Sequence, residues 1–367
     1  VTYRVAVVGT GTEPENPNRD GYAMAYHHAD GYERLDECEL VACADIVEEN
    51  AAAFADAYDI DEAGIFTDYA TMLETAEPDV VSLCVPPSVH AAIAVDCIRS
   101  GVVEAIHCEK PMADTYGGAR LMAQEALRHD VQLTFNHQRR FSQAVRTAKS
   151  LLDDGEIGRL ERVEFQAYAG LLDYGSHSFD LCSYFVDETP GSWVLAQVDY
   201  GEENRLFGTH NENRAIVSWE YENGVHGIGV SDSSDDGRVG ATIGCHNRLC
   251  GSEGTIELGA ADADAPLRIR RSGDAGWETV DTGDGLHDWE YLYRAIAETV
   301  RCLETGTESE LGAKNALNAT ELIFGAYESA RRRGRVDLPL DIEDNPLVSM
   351  VDSGALRPEP RPDTEDS

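Results

Sequence analysis

Lysine is almost missing from this chain of 367 residues: only Lys110, Lys149 and Lys314 carry an ammonium, and the formal net charge is −39. A surface so negative repels nucleic acid and anionic membranes, which excludes polyanion binding as the main activity. Paired cysteine motifs are also missing. Nine cysteines are scattered singly from Cys38 to Cys302 with no CxxC, a pattern of reduced thiols rather than a disulfide framework. Cys245, His246 and Cys250 lie close together, but their spacing matches no standard zinc pattern, so no metal is expected. No apolar run approaches bilayer length. The first one, Val5–Val8, ends in a glycine turn and lacks the charged lead and cleavage site of a signal peptide, so a cytoplasmic protein is expected. What is present is 42% hydrophobic residues in periodic segments, which excludes an acidic disordered chain. Abundant Asp and Glu with scarce Lys is the balance found in salt-loving organisms, where molar salt screens the repulsion. A halophilic source is expected.

The chain is long enough for two cores. Through residue 136, short apolar runs alternate with amphipathic stretches. The runs are Val5–Val8, Leu40–Ala44, Val80–Val85, Glu104–Cys108 and Gln132–Phe135; the helical stretches include Glu48–Tyr58, Val89–Ser100 and Thr115–His129. That succession predicts a doubly wound parallel α/β sheet of the Rossmann type over residues 1–136. Beyond Asn136 a helix over Ser142–Asp153 leads into alternating segments at Glu161–Ala167, Val194–Tyr200, Ala215–Tyr221 and Val225–Val230, then helices at Asp288–Glu304 and Ala313–Arg332. Residues 137–345 therefore read as an α+β domain with a large antiparallel sheet. Residues 346–367 read as a tail, its proline-rich end disordered.

The first strand runs into Gly9-Thr10-Gly11-Thr12. In a dinucleotide site the first glycine permits the tight turn and the second lets backbone approach a pyrophosphate. Pro14 stands where a third glycine is expected, and an insertion from Glu13 to Asp20 shifts the helix start to the neighbourhood of Gly21–Met24. Asp45 ends the second strand, where a carboxylate accepts the ribose hydroxyls and disfavours a 2′-phosphate; NAD is favoured over NADP. Asp45 could equally cap the helix that follows. Val85-Pro86-Pro87-Ser88-Val89-His90 ends the Val80–Val85 run and Glu109-Lys110-Pro111 follows the Glu104–Cys108 run, at the carboxyl edge where open α/β sheets bind ligands. A chain that avoids lysine keeps one at Lys110, and a compact ammonium suits polarisation of a single oxygen. Asp173 and His177 are spaced to share one face of a helix, a carboxylate beside an imidazole suited to general-base work.

Together these segments resemble the glucose–fructose oxidoreductase / inositol dehydrogenase (Gfo/Idh/MocA) family. The likeness rests on Gly9-x-Gly11, Asp45, Val85-Pro86-Pro87-x-x-His90, Glu109-Lys110-Pro111, Asn136 through Phe141, Asp173-x-x-x-His177, Gly251-Ser252-Glu253-Gly254-Thr255 and Tyr327-Glu328-Ser329-Ala330. It implies a hydride transfer between NAD (NADP as the alternative) and a hydroxyl carbon of a sugar or cyclic polyol. Lys110, Asp173 and His177 would be the catalytic residues, joined by Arg140 in the substrate pocket. Gly9, Gly11, Thr12, Asp45, Pro86, His90, Glu109 and Lys110 would bind the cofactor. The resemblance further implies a cis Lys110–Pro111 peptide and a homodimer or homotetramer built on the outer face of the second sheet. Two other activities stay open: an NAD-dependent glycosidase that recycles its cofactor, and a non-catalytic sugar sensor. The segment Tyr168–Leu172 before Asp173 is short for the family, which leaves the pocket more open or completed by another subunit.

Overall fold

The structure is a computed structural model that describes residues 2–12, 24–233, 242–286 and 288–360. The chain divides into two compact units, Val1–Phe141 with Trp289–Leu317, and Ser142–Asp288 with Asn318–Ser367. The expected boundary at 136/137 falls near the first crossing, but no sequence pattern announced that residues 289–317 return to the first unit.

In the first unit, β1 (Tyr3–Val8), β2 (Cys38–Ala44), β3 (Ile65–Phe66), β4 (Val80–Leu83), β5 (Ala105–Cys108) and β6 (Gln132–Phe135) form one parallel sheet. The strand order is β3-β2-β1-β4-β5-β6. Its helices are α1 (Ala25–Glu33), α2 (Glu48–Ala57), α3 (Tyr69–Ala76), α4 (Pro87–Ser100) and α5 (Tyr116–His129). Val5, Ala6, Val7 and Val8 are all buried because both sheet faces are covered, which is why the strand reads as an unbroken apolar run. Helix starts follow local chemistry: Asp68 accepts the Thr71 N–H at α3, and Thr115 accepts the Gly118 N–H at α5. Two elements escaped the pattern reading, β3 with two residues and α3 with eight, both below the length at which periodicity shows.

The second unit opens with α6 (Gln143–Asp153), β7 (Leu160–Ala167), α7 (Tyr174–Phe185), β8 (Gly191–Asp199), β9 (Arg205–Leu206) and β10 (Thr209–His210). It continues with β11 (Arg214–Tyr221), β12 (His226–Asp232), β13 (Cys245–Gly251), β14 (Gly254–Ala260), β15 (Leu267–Arg271) and β16 (Glu278–Val280). After α8 (Glu290–Thr305), which belongs to the first unit, come α9 (Ala313–Arg332), β17 (Val336–Asp337) and α10 (Pro346–Asp352). Nine strands pair in the order β16-β15-β14-β13-β7-β12-β11-β8-β17. The sheet is mixed rather than wholly antiparallel, because β7 and β12 pair in parallel. Phe165, Phe179 and Trp219 pack against one another on its covered face, with ring centroids 4.7–5.8 Å apart.

Two corrections concern this unit. Residues 346–352, assigned to a tail, form α10, whose first turn is capped by the Asn345 side chain. The chain beyond stays ordered as far as Glu359, whose N–H bonds to the Gly201 carbonyl at 2.8 Å. Strands β13–β16 also went unread. Charged pairs stand between the apolar residues of β13, β14 and β15: Arg248 Nη1 to Glu164 Oε2 of β7 at 2.7 Å, Arg248 Nε to Glu257 Oε1 at 2.6 Å, and Arg268 Nε to Glu257 Oε2 at 2.6 Å. The apolar signal of each strand shrinks accordingly to two or three residues.

Candidate active site

The carboxyl edge of the parallel sheet is extended past the strand ends by further backbone hydrogen bonds. Gly9 N–H reaches the Ala44 carbonyl at 2.8 Å, Cys84 N–H the Val8 carbonyl at 2.8 Å, Glu109 N–H the Leu83 carbonyl at 2.9 Å, and Asn136 N–H the Cys108 carbonyl at 2.8 Å. The loops that carry the sequence motifs are therefore held in register. The order of the strands reverses between β1 and β4, so Gly9 and Cys84 flank the crevice where such sheets take their ligand.

Gly9 has φ +85°, and a Cβ there would stand 2.6 Å from Val85 Cγ1 and 2.8 Å from the Cys84 carbonyl oxygen. Only glycine fits. Asp45 is half-buried beside this turn. Its Oδ2 accepts the Gly11 N–H at 2.8 Å and the Thr10 hydroxyl at 3.2 Å, while Oδ1 accepts the Val47 N–H at 2.9 Å. Asp45 thus reaches the glycine turn and closes a turn ahead of α2, whose own N-cap position is Val47, with no capping side chain. Thr12 is half-buried at the limit of the described stretch; the insertion Glu13–Asp20, with Arg19, lies outside the described residues.

The Lys110–Pro111 peptide is cis, as the resemblance implied. Lys110 is half-buried. Pro86 occupies the N-cap position of α4, and His90 in the first turn of that helix is wholly buried. One ring nitrogen of His90 faces the Pro111 carbonyl at 3.0 Å and the other the Val85 carbonyl at 2.8 Å. Burial lowers the pKa of this imidazole against the pull of those carbonyls. His90 is thereby spent on joining two loops. Glu109 is buried as well, its carboxylate turned to His28 and Asn136. Arg140 sits in a short 3₁₀ turn, 1% exposed, and donates to the Glu310 carbonyl at 3.0 Å.

In the second unit Asp173 occupies the N-cap position of α7 and His177 lies in its first turn; both are buried. Sequence reasoning missed what holds them. The segment before Asp173 is short and pinned at three points: Leu171 N–H donates to Glu212 Oε1 at 2.8 Å, Asp173 N–H to Asn211 Oδ1 at 3.2 Å, and Gly175 N–H to the Gly170 carbonyl at 2.9 Å. Gly170 has φ +93°, and a Cβ there would meet Asn211 Oδ1 at 2.6 Å. Glu212, wholly buried, also accepts the Tyr327 hydroxyl at 2.7 Å and the Ser231 hydroxyl. Burial raises its pKa against these donors. Tyr327 stands in one of the stretches that resembled the family, but nothing marked Asn211-Glu212 among so many acidic residues.

Comparison with known proteins bears on this geometry. A sequence model of the Gfo/Idh/MocA oxidoreductase family, NAD-binding Rossmann fold, matches residues 3–137, and that of the family's C-terminal alpha/beta domain matches residues 166–338. The chain belongs to the Gfo/Idh/MocA family. Residues 3–137 are that family's NAD-binding Rossmann domain, and the protein is an oxidoreductase of that family. D-apiose dehydrogenase of Paraburkholderia graminis is 26% identical over 359 residues, which covers 90% of this chain and 91% of that protein. Inositol 2-dehydrogenase of Rhizobium meliloti is 25% identical over 338 residues, covering 85% of this chain and 95% of that one. Among solved structures, an inositol dehydrogenase homolog from Azotobacter vinelandii, complexed with NADH and myo-inositol, superposes with a TM-score of 0.72 at 21% identity, over 92% of this chain and 98% of that one. At that identity the superposition speaks for the fold.

The described residues of this Gfo/Idh/MocA protein fit the dinucleotide. At the end of β1 a glycine turn in which a Cβ on Gly9 would clash with Val85 and Cys84 lies on the carboxyl edge of the sheet, with the half-buried Asp45 carboxylate beside it. Among the described residues no helix is long and apolar enough to cross a membrane, and no cluster of His, Cys, Asp and Glu is placed to hold a metal.

Proposed function

We propose that the protein oxidises a secondary hydroxyl, or reduces the matching carbonyl, on a sugar or cyclic polyol, with Lys110, Asp173 and His177 acting together. The observation that carries this reading is Lys110: a half-buried ammonium at the end of β5, on the carboxyl edge of an NAD-binding sheet, in a chain with three lysines. Relatives named for D-apiose and inositol support the substrate class.

Bound NAD supplies the hydride acceptor. His177 takes the hydroxyl proton, Asp173 fixes the imidazole and stabilises its cation, and Lys110 stabilises negative charge on the substrate oxygen. Gly9, Gly11, Thr12 and Asp45 hold the cofactor, with Pro86 at the rim. His90 and Glu109 act by shaping the loops on which Pro86 and Lys110 stand. Arg140 lines the substrate side. Asp45 selects NAD over NADP by its charge.

Leu195, Ile216 and Ile228 are 46%, 63% and 36% exposed on the outer face of β8, β11 and β12, which supports a homodimer or homotetramer through that face. The charge of −39 supports work in the salt-rich cytoplasm of a halophile.

A panel of aldoses and inositols with NAD and NADP, followed by the absorbance of the reduced nicotinamide in high salt, tests the reading. His177→Ala and Lys110→Ala should each lower kcat by about 10²–10⁴, and the double variant should be little worse than either. Near-normal turnover by His177→Ala would remove it as the base. Binding of NAD and a sugar without any hydride exchange would leave the sensor reading in its place.

A further inference from the structure

A buried polar cluster lies behind the Glu109–Lys110 turn, and its histidine, His28, has no part in the hydride transfer. His28, on α1, is wholly buried. Its Nε2 lies 3.0 Å from Glu109 Oε1 and its Nδ1 2.7 Å from the Ser82 hydroxyl on β4. Asn136 Nδ2, just past β6, donates to the same Oε1 at 2.6 Å. The other oxygen, Oε2, accepts the backbone N–H of Lys110 at 3.2 Å. One carboxylate thus ties a helix and the ends of two strands to the residue that carries the ammonium.

The pair is ionic. Burial works against a charged His28, but the adjoining Cys84 sulfur and Glu109 carboxylate outweigh it and raise its pKa. Burial would likewise raise Glu109, yet His28, the Asn136 donor and the charge of Lys110 together hold it below the usual carboxylate range. Among the titratable neighbours, which include His27, His90, Tyr32 and Cys108, His107 has its ring 5.0 Å from that of His28, and burial and the His28 charge lower its pKa. Such pairs are weak evidence for stability, since apolar replacements often serve as well. What they supply is a fixed direction, because each charge must face the other.

We infer that His28 is a positioning residue: paired with Glu109, it fixes the Lys110 backbone and so the point from which the ammonium reaches the substrate oxygen. This rests on the role proposed for Lys110, and the two can fail separately.

The scarcity of lysine makes a direct test available on the protein without cofactor or substrate. Reductive methylation with formaldehyde and cyanoborohydride, read by peptide mass spectrometry, gives a rate for Lys110 with Lys149 and Lys314 as internal references. His28→Gln removes the cation but keeps a donor. It should change the Lys110 rate severalfold while the two references hold, and His28→Gln/Glu109→Gln, which buries no charge, should return it toward the parent value. If His28→Gln does not fold, Asn136→Ala removes the second donor to Oε1 and should shift Lys110 in the same selective way. An unchanged Lys110 rate, or an equal change at all three lysines, overturns the inference. In turnover, His28→Gln should lower kcat about 10–10²-fold through misplacement with little change in KM for NAD, and should add nothing in a Lys110→Ala background. If Lys110→Ala itself turns over normally, the role of Lys110 fails whatever the labelling shows.

Discussion

Replacing Glu212 separates the value of its charge from the value of its hydrogen bonds. The side chain is wholly buried and accepts from Tyr327, Ser231 and the Leu171 amide. Truncation to alanine leaves these donors facing a dry gap. A buried donor left unmade costs about 1–3 kcal/mol. The Ser231 hydroxyl can rotate, but Tyr327 Oη and the Leu171 N–H are fixed by their surroundings, so Glu212→Ala should lose about 2–6 kcal/mol, a large share of the 5–15 typical of a fold. Glutamine behaves differently. Its Oε1 can take Leu171 and Ser231 while Nε2 donates to the Tyr327 oxygen, so the buried charge is lost and only the Tyr327 proton must turn elsewhere. The pKa of Glu212 is raised, chiefly by burial. For a carboxyl raised in the folded state, the native protein holds the proton more tightly than the unfolded chain. Wild-type stability should therefore fall relative to Glu212→Gln as pH rises from the ordinary carboxyl range through the raised value, and level off above it. Urea melts of the three proteins at about pH 5 and about pH 8 decide the matter, with m-values compared to confirm the same unfolding reaction. An alanine variant as stable as the glutamine variant would refute the reasoning, as would a wild type whose stability relative to glutamine holds or rises with pH.

Asp45→Ser removes a charged acceptor from the Gly11 amide and the Thr10 hydroxyl. In the proposed complex it also removes the charged acceptor of the ribose hydroxyls, and at about 1.5–3 kcal/mol for a bond to a charged group kcat/KM with NAD should drop about 10–10²-fold while NADP gains relative to it. A wild type that already prefers NADP would contradict the role given to Asp45. The excess of acidic groups should make the fold depend on salt, since the screening length grows from about 3 Å at 1 M to about 30 Å at 0.01 M. Thermal melts across KCl should show a rising midpoint, and a flat profile would show that the repulsion is dealt with inside the structure.

The parts of this protein that were legible from sequence are those where one physical requirement dominates. The β1 run is apolar because both sheet faces are covered, and Gly9 is glycine because Cys84 and Val85 leave no room. Both point directly to the nucleotide-binding edge. Helix α9 was bounded to the residue because its period is long and uninterrupted. Where two requirements compete, the pattern fades. Strands β13–β15 answer both to the core and to the arginine–carboxylate pairs set between its residues. Asn211 and Glu212 were invisible because their task is to accept backbone and hydroxyl protons from residues distant in sequence, which acidic composition alone cannot signal. His90 and Glu109 were read as cofactor contacts from their motifs. Their polar atoms turn inward to Val85, Pro111, His28 and Asn136, and only three-dimensional partners reveal that.

The return of α8 to the first unit has a consequence for how the chain matures on the ribosome. Leu292, Ile296 and Val300 of that helix belong to the same core as Tyr26, Ala29 and Tyr32 of α1. A nascent chain that has emerged only through Phe141 therefore exposes an apolar groove along α1 with nothing yet made to fill it. At roughly 5–20 residues per second, the filler arrives on the order of ten seconds later, after the whole central part of the second unit has been synthesised. The nucleotide-binding half, first in sequence, is thus among the last parts to be finished, and a fragment cut at Phe141 should be captured by chaperones or aggregate unless the later helix is supplied in trans.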